Sequence, residues 1–342
     1  MRLGILVILL VTGVSMASAY PYIYESFSVG ENIYCMDMAE DASAIAVGTV
    51  SGKFYLLNDE LRIIEVKSFD SGIVKVSISG EYYALATING KIEVYKENKL
   101  YSIDLEKAVN CLDISYNGEV LACHGDNLTF FVNGKEYWSK EISPRDAVLS
   151  LDGEYIAVAT GDGNISIYKK DGSLLWKKEI KGAKMVAISE EGDYIALCTN
   201  DDLYLFDKKG NLLYKKELKN IKDVEITQNG NYILCALPKS LVYFDRFSHE
   251  LWEYEAMGIE DVAISERGDI ISIAYWNGNI ELYNNSKELK PKREIKKEPE
   301  LNLTKEKQER EEEKGFTNVV FIVIAAIILI LITLNKVKKK RW

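Results

Sequence analysis

Six acidic side chains recur at matched points along this 342-residue chain. Asp37, Asp113 and Glu225 occupy one position in a set of short apolar runs, and Asp146, Asp223 and Asp261 fall two residues earlier in the same kind of run. Carboxylates that converge can hold a hard cation such as calcium, or bind a cationic ligand. The structural alternative, favoured here, is that they accept hydrogen bonds from neighbouring strand ends and turns. Gly161-Asp162-Gly163-Asn164 has part of a calcium loop, but the remaining ligand positions are missing and a hairpin turn accounts for it. His124 and His249 are the only histidines, and no Ser or Cys constellation accompanies them. No phosphate-binding loop, nucleophile elbow or HExxH occurs, so no catalytic residue is named. Cys35, Cys111, Cys123, Cys198 and Cys235 are odd in number and lie in apolar runs. They are expected to be small core residues rather than a disulfide framework or metal cluster.

The elements that must position these residues are repeats. The segments 79–95, 152–168, 191–206 and 267–283 each read as a turn, an alternating strand, a polar turn and another alternating strand. The turn residue recurs at Ala42, Gly80, Gly118, Gly153, Gly192, Gly230 and Gly268, with gaps of 38, 38, 35, 39, 38 and 38 residues. A further strand precedes each turn, and a fourth strand follows short turns such as Asn133-Gly134, Asp171-Gly172 and Lys209-Gly210. Period-2 alternation throughout excludes a helical solenoid, and four strands per unit of this length describe a propeller blade. The seventh unit is one strand short after Tyr283. Residues 22–27 at the other end supply a candidate, which would close the ring and cover an open edge. The fold class is therefore all-β, a seven-bladed propeller over 20–286 closed by an N-terminal strand. Tyr24, Tyr101, Trp138, Trp176, Tyr214 and Trp252 form a regular aromatic ladder on the outer strands, expected to pack between blades rather than to dock a ligand.

The repeats resemble the WD40-like and PQQ-like (quinoprotein-type) propeller superfamily. Residues 171–176 and 209–214 are similar to the Gly-x-x-x-Trp element of PQQ-like repeats. The Trp-Asp ending of WD40 units is missing, and Tyr168, Phe206 and Phe244 stand where that Trp would be. The fold serves many functions, so it does not by itself imply an activity.

Residues 1–19 have the layout of a signal peptide, with cleavage expected after Ala19. Residues 316–334 are uncharged and mostly apolar, and a helix of that length spans roughly 28 Å, enough to cross a membrane. The basic tail, 335–342, marks the cytoplasmic side, which places the propeller outside. Residues 287–315 are dense in both charges and read as a linker or stalk. Sequons at Asn127, Asn164, Asn284 and Asn302 are candidate N-glycosylation sites in that topology. The chain's formal charge is −10, and residues 20–286 alone hold 26 basic and 43 acidic residues, which disfavours nucleic acid or an anionic lipid surface as partner. The expected function is a non-enzymatic, membrane-tethered, extracytoplasmic scaffold in the cell envelope, bound to a protein partner or a surface glycan. The alternative is a quinoprotein dehydrogenase or other propeller enzyme with an acidic, calcium-holding channel mouth at Asp37, Asp113 and Glu225. A receptor would need another subunit for its cytoplasmic output.

Overall fold

The computed structural model describes residues 21–286; the segments read as signal peptide, stalk, membrane helix and tail, and Asn302, lie outside the described residues. The described residues form seven four-stranded antiparallel sheets and no helix. Six sheets are built from four consecutive strands each. We number these blades 1 to 6, spanning 33–68, 73–104, 109–141, 144–179, 185–217 and 223–255. Blade 7 combines Ile259–Ile264, Ile270–Tyr275 and Asn279–Asn284 with Tyr22–Ser28, which pairs antiparallel to Asn279–Asn284 on the outside.

Alternation along each strand puts side chains on both faces of a blade, so each blade buries two surfaces against its neighbours. The core accordingly consists of seven apolar clusters, each drawn from two adjacent blades. Phe206 and Phe244 are fully buried in these seams, and Tyr168 nearly so. The repeated turn residue has positive φ in every blade, including Ala42 at +58°.

The outer seams are held by the aromatic ladder. Trp138 Nε1 of blade 3 donates to Lys170 O of blade 4 at 2.8 Å, and Trp176 of blade 4 repeats this to Lys208 O of blade 5 at 2.9 Å. The glycine of each receiving turn lies flat against the ring. A Cβ on Gly210 would stand 2.9 Å from Trp176 Cδ2, and one on Gly172 would stand 3.3 Å from the Trp138 ring. This contact, together with a positive φ, explains the Gly-x-x-x-Trp spacing in the central blades: Gly134, Gly172 and Gly210 of blades 3, 4 and 5 meet the rings of Tyr101, Trp138 and Trp176 in the blades before them.

Two details differ from the sequence reading. A bulge in the closing strand falls at Tyr24, so Glu25, not Tyr24, lies opposite Leu282 in the register where other outer strands carry the ladder ring. Tyr24 still packs into the core shared by blades 7 and 1. The second is a disulfide between Cys111 and Cys123. These two residues are direct cross-strand partners in blade 3, so the register puts their Cβ atoms side by side. Cys35, Cys198 and Cys235 are the buried free thiols expected of core residues.

Candidate functional site

Each innermost strand pairs on one side only, leaving a row of backbone N–H groups toward the channel. The channel acids meet this need. Asp37 accepts from its neighbour Met38 N (2.7 Å) and from Ile78 N of blade 2 (2.9 Å). Asp113 takes Ile114 N, Ser77 Oγ and, across the seam, Leu149 N of blade 4 (2.6 Å). Asp146 reaches Val186 N of blade 5, Asp223 reaches Val262 N of blade 7, and Asp261 reaches Met36 N of blade 1. Ser77 Oγ does the same for Ile114 N between blades 2 and 3. Blades 5 and 6 are joined instead by Lys184 Nζ, which donates to Ile221 O at 3.2 Å. Glu225 makes no such bond.

Asp37, Asp113 and Glu225 are brought to one level, where they line two adjoining cavities of about 240 and 140 Å³. Lys75 enters the larger one. Sequence reasoning missed it, although it occupies in blade 2 the position held by Asp146, Asp223 and Asp261 elsewhere. Burial pulls the Lys75 ammonium down, but the carboxylates of Asp261 and Asp146 outweigh that and hold it above its ordinary value. Burial pushes Asp37 up to about 8 against the pull of its amide partners, and Asp113 up to about 6. Burial and the neighbouring carboxylates Asp223 and Asp37 hold Glu225 well above the usual carboxylate range. Among the described residues no group of three or more His, Cys, Asp or Glu is placed to hold a metal ion.

Of the sequons, Asn127 and Asn164 are half-exposed at the starts of third strands. Asn284 is only 7 % exposed and its Oδ1 accepts from Ser286 N and Oγ, a poor position for a glycan acceptor. His124 bonds Thr129 Oγ1 within blade 3, a hydroxyl buried to 1 % exposure and shared with Ser139 Oγ, and His249 bonds Asp245 in a turn of blade 6.

One face of the disc carries an apolar arc that the sequence did not reveal. On the side where the inner strands begin, Trp276 of blade 7 and Tyr34 of blade 1 meet edge to face at 6.4 Å, each more than two-fifths exposed. Trp276 N donates to Gly258 O, beside exposed Met257. In the other direction Val50 N donates to Asn32 O, Gly72 abuts the Val50 carbonyl, and Ile88 N donates to Gly72 O. These exposed apolar residues thus lie on neighbouring turns of blades 7, 1 and 2. In blades 3, 4 and 5 the same turns carry Gly125-Asp126, Gly161-Asp162 and Asn200-Asp201. At the starts of the inner strands on this face stand Arg145, Lys184 and Lys222, with Glu260 near Lys222, whereas Glu40, Glu190 and Glu266 line the cavity at the opposite end.

These features define a seven-bladed β-propeller with a carboxylate-laced channel and one partly apolar face. Residues 91–240 match a family of unknown function (DUF5711), a description that carries no activity. No curated protein matches the chain.

Proposed function

We propose that this chain is a non-enzymatic, membrane-tethered scaffold whose propeller stands outside the cell and binds a protein of the envelope. The observation that carries the reading is the arc of Trp276, Tyr34, Val50, Ile88 and Met257. Exposed contiguous apolar surface with aromatic anchors is the common signature of a protein-binding site, and Trp and Tyr dominate the energetics of such contacts. Arg145, Lys184 and Lys222, at the starts of the inner strands of blades 4, 5 and 6, favour a partner with an acidic flank. The tether is the 316–334 segment, with the leader at 1–19 directing the propeller outward. A quinoprotein activity has less support. Among the described residues Lys75 is the one cation lining the two channel cavities, against a wall of carboxylates that would repel a polycarboxylate quinone, and five of the six acids are engaged between blades.

Native mass spectrometry of the full-length protein, gently extracted from its own membranes, tests this against a Tyr34→Glu/Trp276→Glu variant. Whole-subunit additions that disappear in the variant, at unchanged melting temperature, are the expected result. Identical additions in both proteins, or none in the wild type, would overturn the assignment of this face.

A further inference from the structure

The aromatic ladder is broken in two blades, by Glu25 in blade 7 and by Glu65 in blade 1. In blade 1 the residue opposite Leu56, in the register where blades 4 to 6 carry Trp176, Tyr214 and Trp252, is Glu65. The receiving turn of blade 2, residues 96–98, has no glycine to meet a ring. In place of a docked ring, Phe54, Tyr83 and Tyr95 stack in this seam, and Tyr83 Oη donates to Glu65. Further along the same seam, between Lys67 and the 68–71 connection on one side and the turn leading into Lys91 on the other, opens a cleft of about 700 Å³, larger than either channel cavity and within the range of small-ligand sites, roughly 300–1,000 Å³.

The cleft is bounded by a fixed polar frame. Lys67 pairs with Glu65, donates to Tyr83 Oη at 3.0 Å and lies 4.5 Å from the centre of the Tyr95 ring. Tyr95 Oη donates to Glu93, a carboxylate 4 % exposed that also takes Lys91 and Lys99. Burial alone would raise Glu93, but these three donors hold it at about 2. Tyr95 is in turn stacked on Tyr83 at 4.9 Å and Tyr83 on Phe54 at 5.2 Å, which locks the frame to the core. Exposed Asp70, Asn89 and Asp104 complete the opening, with half-buried Phe69 on one wall.

We infer that this cleft between blades 1 and 2 is a binding site for a short neutral saccharide chain. The lining sets two ammonium groups among three carboxylates, with an amide and hydroxyls between them. A hydroxyl, which both donates and accepts, satisfies neighbours of either sign, whereas an anion meets the carboxylates and a polycation meets the lysines. Half-buried Phe69 offers one aromatic wall to the apolar face of a sugar ring, while Tyr95 is covered by Tyr83 and Lys67 and serves the frame. A preset frame lowers the ordering cost of binding. The site is separate from the apolar arc: it concerns a small ligand and stands or falls apart from the protein-binding reading.

The test is binding of the full-length protein, in nanodiscs or a detergent without a sugar headgroup, to an array of neutral hexasaccharides, with tri-lysine peptide and a sulfated oligosaccharide as charged probes. Binding of a neutral chain is expected, weakened at least tenfold in Asp104→Ala and abolished by Asn89→Trp, which fills the cleft. Both sites are exposed, so melting temperatures should stay unchanged. Absence of any neutral binder, binding indifferent to both substitutions, or preferential capture of either charged probe would each overturn the proposal.

Discussion

Gly210→Ala probes the contact that repeats the blades. Gly210 has φ +83°, and a Cβ there would lie 2.9 Å from Trp176 Cδ2 and 3.2 Å from Lys178 Cε. Two costs follow: about 1–2 kcal/mol for an L side chain in left-handed backbone, and about 1–3 kcal/mol for forcing a methyl against a packed ring. Stiffening of the unfolded chain returns about 0.4–1 kcal/mol. The net loss is about 1–4.5 kcal/mol. Gly30 is the internal control, because its φ is +75° and nothing lies within 4 Å of the same Cβ. Gly30→Ala should therefore cost only about 1 kcal/mol. For a domain of this size the two variants should differ in melting temperature by roughly 3–10 °C. The full-length protein is followed by circular dichroism, and the pair is repeated in a Trp176→Ala background. There the Gly210 penalty should fall to that of Gly30, a non-additivity that marks direct contact. Equal losses for Gly210→Ala and Gly30→Ala, or an unchanged Gly210 penalty without the ring, would refute the docking account of the repeat.

The channel sets a pH dependence. Asp37 titrates at about 8 and Asp113 at about 6 in the folded protein, against about 3.9 when unfolded. From about pH 4 up to those values the folded state holds protons the unfolded state has released, so stability from these groups falls as pH rises. His124, held below its ordinary value by burial, acts in the opposite sense, so the informative quantity is the difference between wild type and Asp37→Asn. That difference should shift steadily against the wild type between pH 5 and 8; melting curves that run parallel across this range would exclude the raised Asp37. The disulfide gives a simpler expectation. The denatured, unreduced chain should show three reactive thiols, and reduction should cost about 2–3 kcal/mol for the short loop closed by Cys111 and Cys123. Five thiols by titration before reduction would contradict the bond.

The architecture was legible because its signals are local. Alternation, a turn residue with positive φ and an aromatic 38 residues from the last all act within one unit, so counting them yields the blades. What crosses units was not legible. Cys111 and Cys123 are twelve residues apart and become neighbours only through a register that a bulge near Val109 adjusts. Tyr34, Val50, Ile88 and Trp276 come from three blades and look, one at a time, like ordinary strand ends. The break at Glu65 was visible as a missing ring, but the Tyr83 and Tyr95 rings that pack the seam in its place come from two strands of the next blade.

The channel acids show how residue type alone misleads. Carboxylates facing a cavity suggest ligand chemistry, yet an innermost strand has unpaired amides along its channel edge, and a buried N–H without an acceptor costs about 1–3 kcal/mol. Asp37, Asp113, Asp146, Asp223 and Asp261 answer that cost across five seams, so their recurrence follows from blade assembly whatever the protein binds. The argument also separates the residues it does not cover. Glu225 caps no amide and Lys75 sits where other blades place an acid, so neither is explained by the seams. Any ligand chemistry in the channel must therefore be sought at Glu225 and Lys75, and the clamp carboxylates enter it only by setting the field around them.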